Sequence, residues 1–219
     1  MNVVVLGQPG VGKGTYTDML AEKYKIPHIS TGDMFREEIK KNTELGRKVS
    51  SLISNGELVS DEITIHMLEK RLRQKDCENG FFLDGFPRTI PQAEALEKIA
   101  RIDKVLNFVA PEEVIIDRLS GRRICKRCGA TYHIRHVPPK VEGICDKCSG
   151  ELYQRKDDMP ESVRIRTREY MKKTKPLINF YKKRGLLVNI DASPPIEEAR
   201  EKVIPPCIKA LSDIKKSEN

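Results

Sequence analysis

Three groups of residues in this 219-residue chain have the types and spacing to do chemistry. The first is Gly7-Gln8-Pro9-Gly10-Val11-Gly12-Lys13-Gly14-Thr15. Its glycines let backbone N–H groups turn inward and its lysine supplies a mobile ammonium, which is the composition of a loop that cradles phosphate. The usual loop has Ser or Thr directly after the Lys; here Gly14 intervenes and the hydroxyl is on Thr15, which counts against Thr15 as a direct magnesium ligand. The second group is Asp84, at the end of Phe81-Phe-Leu-Asp84 and followed by Gly85-Phe86-Pro87-Arg88. An acid at a strand end can hold magnesium, or its waters, opposite a phosphate loop.

The third group is Cys125-x2-Cys128 and, 16 residues on, Cys145-x2-Cys148. This is the spacing of two knuckles that present four thiolates tetrahedrally to zinc. Four thiolates leave no open coordination position, so such a metal is structural. Two disulfides are the alternative, disfavoured because nothing in the sequence suggests secretion. Cys77 and Cys207 have no patterned partner and read as ordinary buried thiols. His133 and His136 fall between the knuckles, but the cysteines already complete the shell.

These groups need a frame. Asn2–Leu6, Pro27–Ile29, Phe81–Asp84, Val105–Val109 and Leu186–Ile190 are short apolar runs that read as buried strands. Helical patterns separate them, at about 15–24, 33–41, 44–54 and 61–74. Alternating strands and helices imply a parallel sheet covered on both faces. Residues 122–159 break the rhythm with Gly, Pro and Cys and form a small inserted module. After Pro160 the sequence predicts one long basic helix to about Arg184, started by Asp157 or Asp158. Pro205-Pro206 interrupts the terminal helical pattern near Val203.

The formal charge is +8, and the excess lies between residues 122 and 185. A basic chain wants a phosphate or polyanion partner, or carries a solvated basic face. Aromatics are only 5% and Trp is absent, so the stacking rings of a single-strand nucleic-acid binder are missing. No run of about 18 apolar residues is present, and Val3–Leu6 is followed by glycines rather than by a signal-peptide core. The expectation is a cytoplasmic protein with no nucleic-acid or membrane partner, most simply a monomer.

Taken together, Gly7–Thr15, Ser30-Thr31-Gly-Asp-Met-Phe-Arg36, Asp84-Gly-Phe-Pro-Arg88-Thr with Gln92, and Gly121-Arg122-Arg123 resemble the adenylate kinase family over essentially the whole chain. The resemblance implies an α/β P-loop fold: a doubly wound, parallel five-stranded sheet with helices on both faces, an AMP-binding helical insert and a small zinc-ribbon-like lid. The implied division is core at 1–29, 60–121 and 160–219, AMP-binding insert at 30–59, and lid at 122–159. The implied partners are ATP, AMP and ADP, and the implied metals are Mg²⁺ with ATP and Zn²⁺ in the lid.

By the same resemblance ATP lies against Gly10, Val11, Gly12, Lys13, Gly14, Thr15, Arg118, Arg122, Thr131, Tyr132 and the backbone of Pro194. AMP lies against Thr31, Arg36, Glu57, Leu58, Val59, Gly85, Phe86, Pro87, Arg88, Gln92, Arg155 and Arg166. Arg36 and Arg88 would clamp the AMP phosphate, Gln92 would read the adenine edge, and Asp84 would hold magnesium through waters. Lys13, Arg88, Arg118, Arg122, Arg155 and Arg166 match the catalytic positions. Arg123, Arg164 and Arg168 read as structural or surface residues, and Lys172 to Lys183 as a solvated face.

Arginines without a general base suit this chemistry. A monophosphate with a second pKa near 6 is already mostly dianionic near neutrality, so what remains is to hold two anions in line and keep water out. Planar guanidinium forks do that better than lysines. Two other readings are a kinase for a different nucleoside monophosphate or with GTP as donor, and a zinc-ribbon nucleic-acid binder. The phosphate-loop constellation and the scarcity of aromatics weigh against the latter.

Overall fold

The structure is a computed structural model that describes residues 1–212 and 214. Among these are eight strands: β1 (Asn2–Gly7), β2 (His28–Ser30), β3 (Phe81–Asp84), β4 (Lys104–Val109), β5 (Arg122–Cys125), β6 (Thr131–His133), β7 (Leu152–Tyr153) and β8 (Leu187–Asp191). Five of them form a parallel sheet in the order β2-β3-β1-β4-β8, and the other three a separate antiparallel sheet, β6-β5-β7. The helices are α1 (Lys13–Tyr24), α2 (Thr31–Lys40), α3 (Glu44–Asn55), α4 (Asp61–Leu72), α5 (Ile90–Ile99), α6 (Glu112–Ser120), α7 (Pro160–Glu169), α8 (Pro176–Lys183), α9 (Ala199–Lys202) and α10 (Ile204–Ser212).

The apolar strands are continuous because both sheet faces are covered, and their residues alternate between two cores. Val3 and Val5 point to a cluster with Tyr16 and Leu20 of α1, Leu119 of α6 and Cys207 of α10. Val4 and Leu6 point the other way, to Leu68 of α4, Leu96 of α5 and Leu177 of α8. Each such fully buried aliphatic or aromatic side chain contributes about 1.5–3 kcal/mol relative to leaving it in water.

The helices that follow adjacent strands β1 and β3 thus lie on opposite faces, which opens a crevice at the strands' C-terminal ends. Register brings the right residues there: Val5 and Ser30 both pair with Asp84, one residue before the turn at Gly85.

Two small satellites stand apart from the main cores. Phe35, Val49 and Val59 pack α2 and α3 together, and a Cβ on Gly46 would lie 2.1 Å from the Glu38 carbonyl oxygen, so only glycine allows that approach. Cys125, Tyr132, Cys145 and Leu152 form the core of the three-stranded unit. No helix among the described residues is long and apolar enough to cross a membrane.

The basic segment departs from expectation in two ways. Its N-cap is Met159 with Pro160 at the first helical position; Asp157 and Asp158 do not cap it but face arginines. Nor is it one regular helix. A π-helical turn, Tyr170–Thr174, separates α7 from α8, with Lys175 N–H donating to the Tyr170 carbonyl at 2.8 Å. Pro176, two residues beyond that turn, has no N–H to continue the regular ladder. The terminal pattern does break at Val203, where α10 starts afresh with Pro205 and Pro206 in its first turn.

Candidate active site

The loop from β1 into α1 is built for an anion. Gly10 and Gly12 have φ of 89° and 103°, a region L side chains avoid. Gly10 also passes so close to Leu119 that a Cβ would lie 2.5 Å from its Cγ. Gly12 caps α1 without any side-chain bond to the first turn, so the helix's leading N–H groups remain available. The Lys13 ammonium folds back and donates to the carbonyls of Gly7 and Gln8, both at 2.9 Å. Burial pushes its pKa down to about 8, with Arg88, Arg166 and Arg122 adding to the effect against Asp84.

A cleft of about 1630 Å³ extends from this loop, lined by Lys13, Arg36, Asp84, Arg88, Arg118, Arg122, Arg155 and Arg166. These side chains come from elements spread between β1 and α7, so the fold alone assembles them. Burial, followed by the neighbouring Arg166, lowers Arg88 to about 10; burial, followed by Arg36 and Arg122, lowers Arg155 to about 10. Both remain cationic near neutrality. Arg155 Nε is buried with no hydrogen-bond partner among the described residues. Cations packed this closely, away from water, call for further negative charge.

Carboxylates hold the arginines in place. Asp158, with no side-chain exposure, accepts from Arg122 Nε at 2.7 Å, is bonded a second time by Arg122 Nη2, and accepts from Arg166 at 3.1 Å. Asp33 accepts from Arg36 at 2.6 Å, with Arg155 3.7 Å away. Burial resists ionisation of Asp33, but these arginines outweigh it and hold its pKa at about 2. Asp84 stays ionised too: burial opposes this, and His28, Lys13 and Arg88 more than compensate.

Comparison with known proteins fits this arrangement. The family model described as "Adenylate kinase" matches residues 5–186. The chain is 52% identical over 209 residues to a protein named adenylate kinase from Caldicellulosiruptor saccharolyticus, covering 93% of this chain and 97% of that one. A namesake from Archaeoglobus fulgidus is 52% identical over 202 residues (90% and 93%), and one from Staphylococcus aureus 51% over 209 (93% and 97%). The chain belongs to the adenylate kinase family.

Not every residue that the adenylate kinase resemblance singles out presents its side chain to the cleft. Val11 and Phe86 are fully buried in the two cores, so they offer only backbone. Arg118 donates to the carbonyls of Val11 at 2.8 Å and Pro194 at 2.7 Å, tying the phosphate loop to the segment after β8. Thr131 is exposed on β6 and lines the cleft beside Tyr132, whose hydroxyl accepts from the Asp146 N–H at 2.8 Å. Gly10, Gly12, Gly14, Thr15, Glu57, Leu58, Gly85 and Pro87 line the same cleft. A smaller side pocket collects Thr31, Leu58, Val59, Gly85, Arg88 and Gln92.

In this chain the four patterned cysteines converge, their sulfurs lying within 4.8 Å of one another. Cys125 and Cys148 are 3.4 Å apart, Cys128 and Cys145 3.6 Å, close to the ~3.8 Å that a tetrahedral Zn–S₄ shell requires. Backbone N–H groups of Arg127 and Cys128 point at Cys125 Sγ from 3.4 and 3.5 Å, as in a metal knuckle. The donor set fits a thiophilic divalent ion. Asp117, His133 and His136 also cluster, but His133 is spent: Nδ1 accepts from the Arg135 and His136 N–H groups and Nε2 lies 3.1 Å from the Asp117 carbonyl.

Sequence reasoning missed the carboxylates that set these arginines. The adjacent acids Asp157 and Asp158 next to Arg155 were the available signal, read there as a helix start. It also missed His28, whose Nδ1 lies 2.7 Å from Asp18 and Nε2 3.7 Å from Asp84; no pattern marks it out.

Proposed function

We propose that the protein catalyses the reversible, magnesium-dependent transfer of the terminal phosphoryl group of ATP to AMP, giving two ADP and so balancing adenine nucleotides in the cytoplasm. What carries the reading is the convergence of Lys13, Arg36, Arg88, Arg122, Arg155 and Arg166 in one cleft between a phosphate loop and a small side pocket that Gln92 lines.

The ATP phosphates lie in the Gly7–Thr15 loop. Lys13 exchanges its two carbonyl partners for phosphate oxygens, and Arg122 bridges the transferring group. Arg36 and Arg88 hold the AMP phosphate, and Arg155 and Arg166 neutralise charge between the two nucleotides. Asp84 suits a metal's waters because it is ionised and lies across from the loop, its Oδ2 3.9 Å from where a Cβ on Gly14 would be. Bound Mg²⁺ would supply charge neutralisation on the donor phosphates. Residues 122–159 act as the lid, with Zn²⁺ on Cys125, Cys128, Cys145 and Cys148 stiffening a unit whose core is too small to hold itself. Residues 30–59 act as the AMP-binding insert. Closing both over the cleft excludes water, the competing acceptor.

The test is ADP formation by the purified protein over a panel of monophosphate acceptors and triphosphate donors. AMP with ATP should be the preferred pair; preference for another acceptor would overturn the substrate assignment.

A further inference from the structure

Gln92, only 2% exposed, sits in the wall of the side pocket with both ends of its amide committed. Oε1 accepts from the Arg88 backbone N–H at 2.7 Å. Nε2 donates to Asp61 Oδ1, also at 2.7 Å. Asp61 is held in turn: its Oδ2 accepts from Thr89 Oγ1 at 3.0 Å, and Thr89 Oγ1 accepts from the Gln92 backbone N–H at 3.2 Å. Asp61 opens α4, a position where an acid is commonplace as a partner for the helix dipole. A general helix-start role does not require the second contact to a buried glutamine on a different helix.

An amide has two N–H donors and two acceptor lone pairs. Arg88 takes one lone pair and Asp61 one N–H, which leaves one donor and one acceptor in a fixed order. Rotating the amide by 180° would set N–H against N–H at Arg88 and oxygen against carboxylate at Asp61. The order matters because purines come in two hydrogen-bonding patterns. Adenine accepts at N1 and donates from its 6-amino group, whereas hypoxanthine and guanine donate from N1–H and accept at O6. A free amide turns to suit either, and a locked one suits only one.

We infer that Asp61 is a specificity-determining positioning residue: it fixes the Gln92 amide so that the acceptor pocket takes a 6-aminopurine monophosphate and rejects 6-oxopurines. The inference rests on the acceptor site proposed above and names the residue outside that site which gives it its selectivity.

The experiment compares kcat/KM for AMP and for inosine monophosphate, with ATP as donor, in the wild type, Asp61→Ala and Asp61→Asn. Asp61→Ala removes the lock and lowers the AMP-to-inosine-monophosphate ratio by about tenfold, the scale of one hydrogen bond to a charged group. Asp61→Asn keeps an oxygen for Gln92 Nε2 and stays within about threefold of the wild-type ratio. A merely structural role would lower both rates together and leave the ratio alone. An unchanged ratio in folded Asp61→Ala, or an Asn variant that falls as far as Ala, overturns the inference. Should Asp61→Ala fail to fold, Asp61→Ser carries the same prediction, because serine starts helices well but is too short to reach Gln92. Wild-type protein that makes ADP from ATP and AMP while the ratio stays fixed separates failure of this inference from failure of the functional reading. Wild-type protein that makes none overturns both.

Discussion

Asp158, its side chain wholly shielded from solvent, accepts a hydrogen bond from Arg166 at 3.1 Å while its two oxygens also grip Arg122. One carboxylate therefore sets the spacing of two guanidinium groups, one at the start of the 122–159 module and one on α7. Asp158→Ala leaves two buried cations short of a partner, which typically costs 3–5 kcal/mol, and lets both forks drift. Because a displacement of about 1 Å can cost ~10²-fold in rate, kcat should fall by about that factor. Steady-state kinetics together with a melting curve check this; unchanged kcat in a destabilised protein would confine Asp158 to folding.

Lys13 gives a pH dependence. Its folded pKa, depressed to about 8, lies below the ordinary lysine value, so the ammonium proposed to meet phosphate is present below about pH 8 and lost above it. kcat/KM for ATP reports the free enzyme and should decline above pH 8 by up to tenfold per unit. Bound phosphate raises the lysine pKa again, so the corresponding limb in kcat should move to higher pH. Coincident limbs in both profiles would exclude Lys13 as their origin.

Arg88 lies between the Gly85 carbonyl, which accepts from its Nε at 2.8 Å, and Thr174, whose hydroxyl donates to the Arg88 carbonyl at 3.0 Å. The first contact orients its side chain and the second ties its backbone to the π-helical turn. Arg88→Ala should lower kcat/KM for AMP by ~10²-fold or more while leaving the ATP dissociation constant within a few-fold, as charge-assisted phosphate contacts imply. Varying each nucleotide in turn distinguishes the two, and intact AMP kinetics would reject the assignment.

Removing metal should loosen the 122–159 module before it affects chemistry, since four thiolates leave no position for substrate. Metal analysis should give about one zinc per chain. Cys125→Ser should melt earlier yet keep turnover when assayed cold, where the module remains folded. Complete loss of turnover in the cold would mean that the metal site does more than hold shape.

The sequence made the frame and the cation set legible for different reasons. Val3 to Leu6 could only be a strand covered on both faces, and the glycines around Lys13 could only be a turn with N–H groups inward. The two Cys pairs were legible because metal knuckles need a fixed local spacing. Asp158 was not, because Arg122 meets it only after the module folds back on itself, and its position beside Pro160 mimicked a helix cap. The π-helical turn at Tyr170–Thr174 was hidden for a similar reason: its residues pass for ordinary helix, and Thr174 is tied by its contact with Arg88 in a distant loop. Gln92 carried no sign that Asp61 fixes its orientation.

The proposed function has this cleft pass a phosphoryl group between two nucleotides while denying it to water. The direct measurement is the stoichiometry of ATP, AMP and ADP in one reaction, run beside a control without AMP. One ATP and one AMP should be consumed for every two ADP formed, with ATP almost untouched in the control. ATP loss at a comparable rate without AMP, accompanied by free phosphate, would contradict it.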